Sequence, residues 1–273
     1  MITVHTAAER PDLWERGLGP VPVWPEYNLH GDVLNRWWGQ LSEDLPEFQF
    51  VLYDQGEDSV AARGYTAPVA WDGRDETLPD GIDAVVEVLF GAGPLGGPAA
   101  GAAGPAGAGA GAGAGAAAPA GAAGAADTLC ALAAEIPPDG RGRGLAVEIL
   151  AAMRSIGQRH GLRRLIAPVR PSWKERYPLA PIASYVRWRR EDGKLLDPWM
   201  RVHESLGARV ATPLPRSLRI TGTVADWETW TGLPFPETGE YVFPRGLATL
   251  HIDRENDLGS YWEPNAWMIH PDL

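Results

Sequence analysis

The sequence is short of cysteine, of positive charge and of long apolar runs, and each shortage closes off a class of function. Cys130 is the one cysteine in 273 residues, so no internal disulfide can form. Lying inside an apolar run, it reads as a small core hydrophobe and not as a nucleophile. Lys and Arg number 24 against 35 Asp and Glu, a formal charge of −11. A nucleic-acid partner, which would need clustered cations to meet phosphates, is therefore not expected, whereas a cationic amine would be drawn toward such a surface. No apolar run approaches the roughly 20 residues needed to span a bilayer. The opening MITVHTAAERPD lacks the basic-then-apolar order of a secretory leader, so no membrane partner and a cytoplasmic location are expected.

What is present is a 45% hydrophobic, 22% charged chain, the profile of a soluble globular protein, interrupted by one biased segment. Residues 91–126 hold only Gly, Ala and Pro apart from Leu95. Such a stretch cannot bury enough apolar area to offset the entropy of ordering it, and it reads as a flexible insertion. Closing it costs only about 2 kcal/mol more than closing a four-residue loop, so it can interrupt one domain spanning residues 1–273. A boundary between two domains explains the composition equally well. The preceding 90 residues look like half of a sheet: a helix over Asp32–Leu41, then strands near Phe48–Tyr53, Val60–Trp71 and Ala84–Phe90. Beyond the insertion, Thr128–Ile136 is strand-like, Leu145–His160 has helical spacing closed by Gly161, and Arg164–Val169 is again strand-like. A strand, helix, strand crossover of this kind demands two parallel strands. Residues 172–197 read as irregular with a short helix. Pro198–Leu206 reads as a helix with Asp197 as N-cap and Gly207 as stop, and Leu218–Val224 and Ala248–Ile252 read as strands. The fold class is mixed α/β.

The residues that promise chemistry are Pro138-Asp139-Gly140-Arg141-Gly142-Arg143-Gly144-Leu145-Ala146, between a strand and a helix. Glycines there let the backbone approach an anion while the unpaired amides of the first helical turn point at it. Each such interaction is worth about 0.3 to 1 kcal/mol, so affinity needs several amides acting with Arg141 and Arg143, and a pyrophosphate offers enough acceptors. A P-loop would need Gly-Lys-Ser/Thr where Gly144-Leu145-Ala146 stands, and a dinucleotide fingerprint would need a glycine at Val147; neither is present. A glycine-rich turn without a ligand explains the loop too.

With these residues in view, the sequence resembles the GNAT superfamily of acyl-CoA N-acyltransferases. The family motif Gln/Arg-x-x-Gly-x-Gly/Ala, after a strand ending in an apolar residue, any residue and proline, is matched by Ile136-Pro137-Pro138 and Gly140 to Gly144, with Asp139 in place of the first Gln or Arg. The resemblance covers residues 127–170 most clearly, and 127–210 would form the acyl-CoA-binding core. It implies a GNAT-like fold and acetyl-CoA or another acyl-CoA as co-substrate. Pantetheine would pair along Ala134 and Ile136, and the pyrophosphate would sit on Arg141, Gly142, Arg143, Gly144, Leu145 and Ala146. The family segment Tyr-Glu-Lys-Leu-Gly-Phe is similar to His203-Glu204-Ser205-Leu206-Gly207-Ala208. His203 thus stands where the family has the tyrosine that protonates the leaving thiolate, and imidazole suits that task; an exposed or capping histidine is the alternative. Glu135 is the candidate base, although strand alternation turns it away from the face of Ile136 and suggests a structural role. Tyr185 is a reserve acid. The acceptor, a small-molecule primary amine, would meet Trp24-Pro25-Glu26-Tyr27 and Trp37-Trp38, which an ordinary aromatic core explains as well. Trp262-Glu263-Pro264-Asn265 would line the same cleft or merely turn the chain. A GNAT-like module that binds acyl-CoA without turnover, an acyl carrier protein as donor and a homodimer are all compatible with the resemblance. His251-Ile252-Asp253 lacks companions at metal-ligand spacing.

Overall fold

The computed structural model describes residues 1–19, 22–91, 126–140 and 142–273. The Gly/Ala/Pro segment expected to be a flexible insertion lies, but for its two end residues, outside the described residues, and so does Arg141. The chain on both sides of it contributes strands to one sheet.

The first half supplies β1 (Ile2–Thr6), α1 (Pro11–Arg16), α2 (Leu34–Asp44), β2 (Gln49–Asp54) and β3 (Ser59–Val69). β1, β2 and β3 form an antiparallel meander, with Val4 opposite Leu52 and Val51 opposite Arg63. The expected third strand, Ala84–Phe90, is instead helical. α3 (Ile82–Val86) runs into a π turn over Glu87–Gly91, burying Ile82, Val85, Val86 and Leu89. That spacing of three and four is the helical period, and a run of β-branched residues disguised it.

The second half supplies β4 (Thr128–Glu135), α4 (Leu145–Arg159), β5 (Arg164–Val169), α5 (Ile182–Tyr185), α6 (Pro198–Ser205), β6 (Arg209–Gly222), α7 (Val224–Thr231), β7 (Gly239–Tyr241), β8 (Leu250–Asp253) and β9 (Leu258–Ile269). The sheet runs β1-β2-β3-β4-β5-β9-β8-β7, with β6 paired to β9 as well. Among the described residues every strand pairing is antiparallel except β4 with β5, the crossover that α4 connects. α4 lays Leu145, Ile149, Leu150, Met153 and Ile156 into the core, each such burial worth about 1.5 to 3 kcal/mol. Gly161, at φ +69°, ends the segment in the left-handed turn that glycine favours.

Two irregularities decide where a site can form. The β4–β5 ladder stops at Cys130 opposite Ile166. Past that point β4 stays with β3, as far as Glu135 opposite Arg63, and β5 stays with β9, as far as Val169 opposite Ala266. In the same place the β3–β4 register slips, Tyr65 facing Ala133 and Thr66 facing Ala131, so Leu132 is an extra residue. A bulge bends its strand and increases local twist, and here it accompanies the separation of β4 from β5.

Candidate active site

The separated strands open a cleft of about 940 Å³. Its floor is the small-residue run Ala131-Leu132-Ala133-Ala134 of β4 and Ala167-Pro168-Val169 of β5. The cleft is also lined by Trp24, Leu34 and Trp38 from the first half of the chain and by Trp199, Val202 and His203 of α6. The glycine loop reaches the same cleft through Gly140, Gly142, Gly144, Leu145 and Ala146.

The loop is shaped as a cradle. After one tight turn at Pro138–Gly140, Gly142 and Gly144 take φ +80° and +83°, where L side chains are strained, and a Cβ at either would project into open space. Gly144 caps α4 without any side-chain hydrogen bond to the first-turn amides, leaving that end of the helix for an anion. The residues therefore fit a phosphate-bearing co-substrate. Arg143 is placed otherwise than the motif suggests. Its guanidinium is 3.0 Å from Asp54 and 3.3 Å from Glu57, at the β2–β3 turn, and must exchange those partners to reach an anion on the loop.

Glu135 ends β4, and both it and Ile136 line the cleft, because strand alternation no longer applies where the strand stops. Trp24 Nε1 donates to Glu135 Oε1 at 2.6 Å. Burial raises the Glu135 pKa above the ordinary carboxylate value, opposed by the Trp24 hydrogen bond and the Arg63 charge. A carboxylate so placed binds a proton more readily than an exposed one.

His203 lines the cleft from α6, with 1% of its surface exposed. Asp197 holds that helix in place: it accepts from the amides of Trp199, Met200 and Trp173 and from the Tyr185 hydroxyl. His203 Nδ1 lies 2.9 Å from His270 Nε2, and Trp199 packs edge to face against its ring. Burial, and then the neighbouring His270, push the His203 pKa well below 6.5, so the ring is neutral at physiological pH. Tyr185 is not brought to the cleft. It is buried with its hydroxyl given to Asp197 at 2.9 Å, and burial together with that carboxylate raises its pKa.

In the same cleft, just past the end of β5, Arg170 Nε donates to Glu263 Oε1 at 2.8 Å. Asn28 donates to the other carboxylate oxygen at 3.1 Å, and Arg170 also reaches Tyr27 Oη at 3.0 Å. Burial works against the Arg170 cation, but the charge and hydrogen bond of Glu263 together with Tyr27 and Tyr261 outweigh it and raise the Arg170 pKa. Of the aromatics expected around the acceptor, Trp24 and Trp38 line the cleft. Trp37 packs on Phe90, and Tyr27 is core, ringed by Trp227, Phe243 and Tyr261. Glu26 is exposed and paired with His30, while Trp262 lies beneath Arg216 and Arg219. Glu263 and Asn265 do line the cleft. Arg170, Asn28 and His270 escaped sequence reasoning; none belongs to a spaced motif, and each acquires its partner only across the fold.

No family model matches the chain. A curated relative, arginine N-acetyltransferase avaD of Aspergillus versicolor, is 28% identical over 98% of this chain and 93% of its own length. Among solved structures, the loading GNATL domain of CurA from Lyngbya majuscula is 16% identical, covers 99% of this chain and 98% of its own, and superposes with a TM-score of 0.55. The GphF GNAT-like decarboxylase, solved with isobutyryl-CoA, is 14% identical over 99% and 98%, with a TM-score of 0.51. The fold is thus GNAT-like, a mixed α/β sheet split between two parallel strands. Fold and relative alike liken the chain to the GNAT superfamily of N-acyltransferases.

Proposed function

We propose that the chain transfers an acyl group, acetyl in the first instance, from acyl-CoA to the primary amine of a small molecule by direct attack within a ternary complex. The observation that carries this reading is the convergence of the strand separation and the glycine cradle on one cleft. Free amides and carbonyls on the β4 edge at Ala134 to Ile136 would hold pantetheine as an added strand does. The backbone of Gly142 to Ala146 would take the pyrophosphate, with Arg141 and Arg143 closing over it.

In this reading Glu135 removes one proton from the ammonium, either directly or through water, so that the neutral amine can attack the thioester carbonyl carbon. The carbon–sulfur bond then breaks as the cationic nitrogen of the tetrahedral intermediate gives up its proton to the departing sulfur, while the N–H of neutral His203 donates a hydrogen bond to that sulfur as charge develops on it. No net charge is then left in the cleft. Tyr185, committed to Asp197, serves to hold the helix that bears His203. The acceptor to test first is arginine, from the relative's activity and from the acidic surface of the chain. A carrier-protein pantetheine as donor is a second reading, favoured by the carboxylates that occupy Arg143.

The test is isothermal titration with acetyl-CoA and CoA, followed by thiol release with arginine and a panel of other amines. Binding and amine-dependent release support the reading. Absence of both, with an acyl carrier protein also failing as donor, would sink it.

A further inference from the structure

His270 follows the last strand, and its amide donates to Leu165 O at 3.0 Å, which ties its backbone to β5. Its ring is buried against His203, the centroids 5.1 Å apart and the Nε2 to Nδ1 distance 2.9 Å. Among the described residues, the two remaining ring nitrogens, His203 Nε2 and His270 Nδ1, have no partner. Burial depresses the pKa of both rings, and the Arg154 guanidinium, bonded to the carbonyls of Pro271 and Asp272, adds to the effect on His270.

Each neutral imidazole carries one N–H, so a bond between the two rings needs a donor and an acceptor. If His203 donated through Nδ1, His270 would carry its proton on Nδ1, an orphaned N–H on the closed side of the pair, which proteins rarely tolerate. If His270 donates through Nε2, the closed side holds only a lone pair. The unpaired N–H then falls on His203 Nε2, a buried atom like His270 Nδ1 but one whose ring, unlike that of His270, belongs to a residue lining the cleft. We propose that His270 is a positioning residue whose Nε2–H holds His203 as the tautomer with its proton on Nε2, the proton offered to the departing sulfur. The proposal rests on the acyl-transfer reading for its consequence, and on the geometry of the pair for the tautomer.

Nitrogen-15 spectra of the ring-labelled full chain at neutral pH, assigned by His203→Gln, read the tautomer without any substrate. Nε2 protonated and Nδ1 bare on His203 is the expected pattern; protonated Nδ1 overturns the proposal even if the enzyme is active. Kinetics then read the consequence. His270→Phe removes the donor and should lower kcat about 10- to 100-fold with KM for the acyl donor within about threefold. His270→Gln, whose amide nitrogen can stand where Nε2 stood, should restore most of the loss. A Phe variant as fast as wild type, or a Gln variant as slow as a well-folded Phe variant, refutes the positioning role. Wild type that transfers no acyl group to any amine counts against the acyl-transfer reading, and the spectrum still decides the tautomer.

Discussion

Acidification should destabilise the protein before its surface carboxylates begin to titrate, because the His203–His270 pair is folded in neutral form. His270 is held at about 4 against an ordinary 6.5, so below pH 6.5 the unfolded chain binds a proton that the folded chain refuses. A depressed histidine therefore contributes full stability above 6.5 and loses it as pH falls toward 4. From those two values, the loss relative to pH 7.5 is about 1.4 kcal/mol at pH 5.5 and about 2.6 kcal/mol at pH 4.5. The rings are coupled, so this describes the first proton taken up by the pair. Asp83 acts in the opposite sense. Burial raises it to about 6 from 3.8, although it accepts from the amides of Leu34 and Arg219. The folded state gains as it protonates, by roughly 0.4 kcal/mol at pH 5.5 and roughly 1 kcal/mol at pH 4.5 once its partial exposure is allowed for. These two groups together leave a loss of about 1 and about 1.6 kcal/mol, to which His203, also depressed, adds in the same direction, and Asp83→Asn should expose the full histidine slope. Urea melts at pH 7.5, 5.5 and 4.5 on wild type, Asp83→Asn and His270→Phe give the comparison directly. Stability that is flat across this range, with the same profile in His270→Phe, would refute the reasoning.

Three further outcomes are expected. Gly142→Glu with Gly144→Glu would place two carboxylates in the space left open by the missing Cβ atoms. Titration calorimetry should show acetyl-CoA affinity falling by more than about 100-fold while the melting temperature drops only a few degrees; unchanged affinity would remove the loop from the site. Glu135→Gln should reduce kcat roughly 10- to 100-fold and flatten the acid limb of the kcat/KM profile, the limb on which a base with a raised pKa gains its proton. A retained limb would assign it to another group. Removing Glu263 by Glu263→Met strands the buried Arg170 cation and should cost about 3 to 5 kcal/mol in chemical denaturation, with the double variant Arg170→Met, Glu263→Met less damaged than the single. Additive losses would mean that the pair is not coupled.

The crossover could be read from the sequence because its signals are local. Leu145, Ile149, Met153 and Ile156 repeat at helical spacing, Gly161 supplies the left-handed stop, and Asp197-Pro198 sets the N-cap of α6 through bonds two and three residues away. β9 escaped notice for a physical reason. It lies between β5, β6 and β8, so Glu263 to Met268 are buried on both faces, and the alternation that marks a half-exposed strand is absent. β6 was read only at its end, since its register on β9 slips between Leu214 and Leu218. The Gly/Ala/Pro segment announces itself by composition alone, and it does not divide the sheet.

The sequence by itself determined the mixed α/β class, the parallel crossover and the backbone freedom of the glycine loop, since propensity, capping and glycine conformation act over a few residues. Tertiary structure alone decided the rest of the site. It chose where β4 leaves β5, gave Arg143 to Asp54 and Glu57, withdrew Tyr185 to Asp197, and brought Glu263 to Arg170 and His270 to His203. Those partners stand between 12 and 93 positions apart in the chain. Their pairing is set by burial, where a charge or N–H that leaves water must find a partner, and no spacing rule in the sequence records which one it finds.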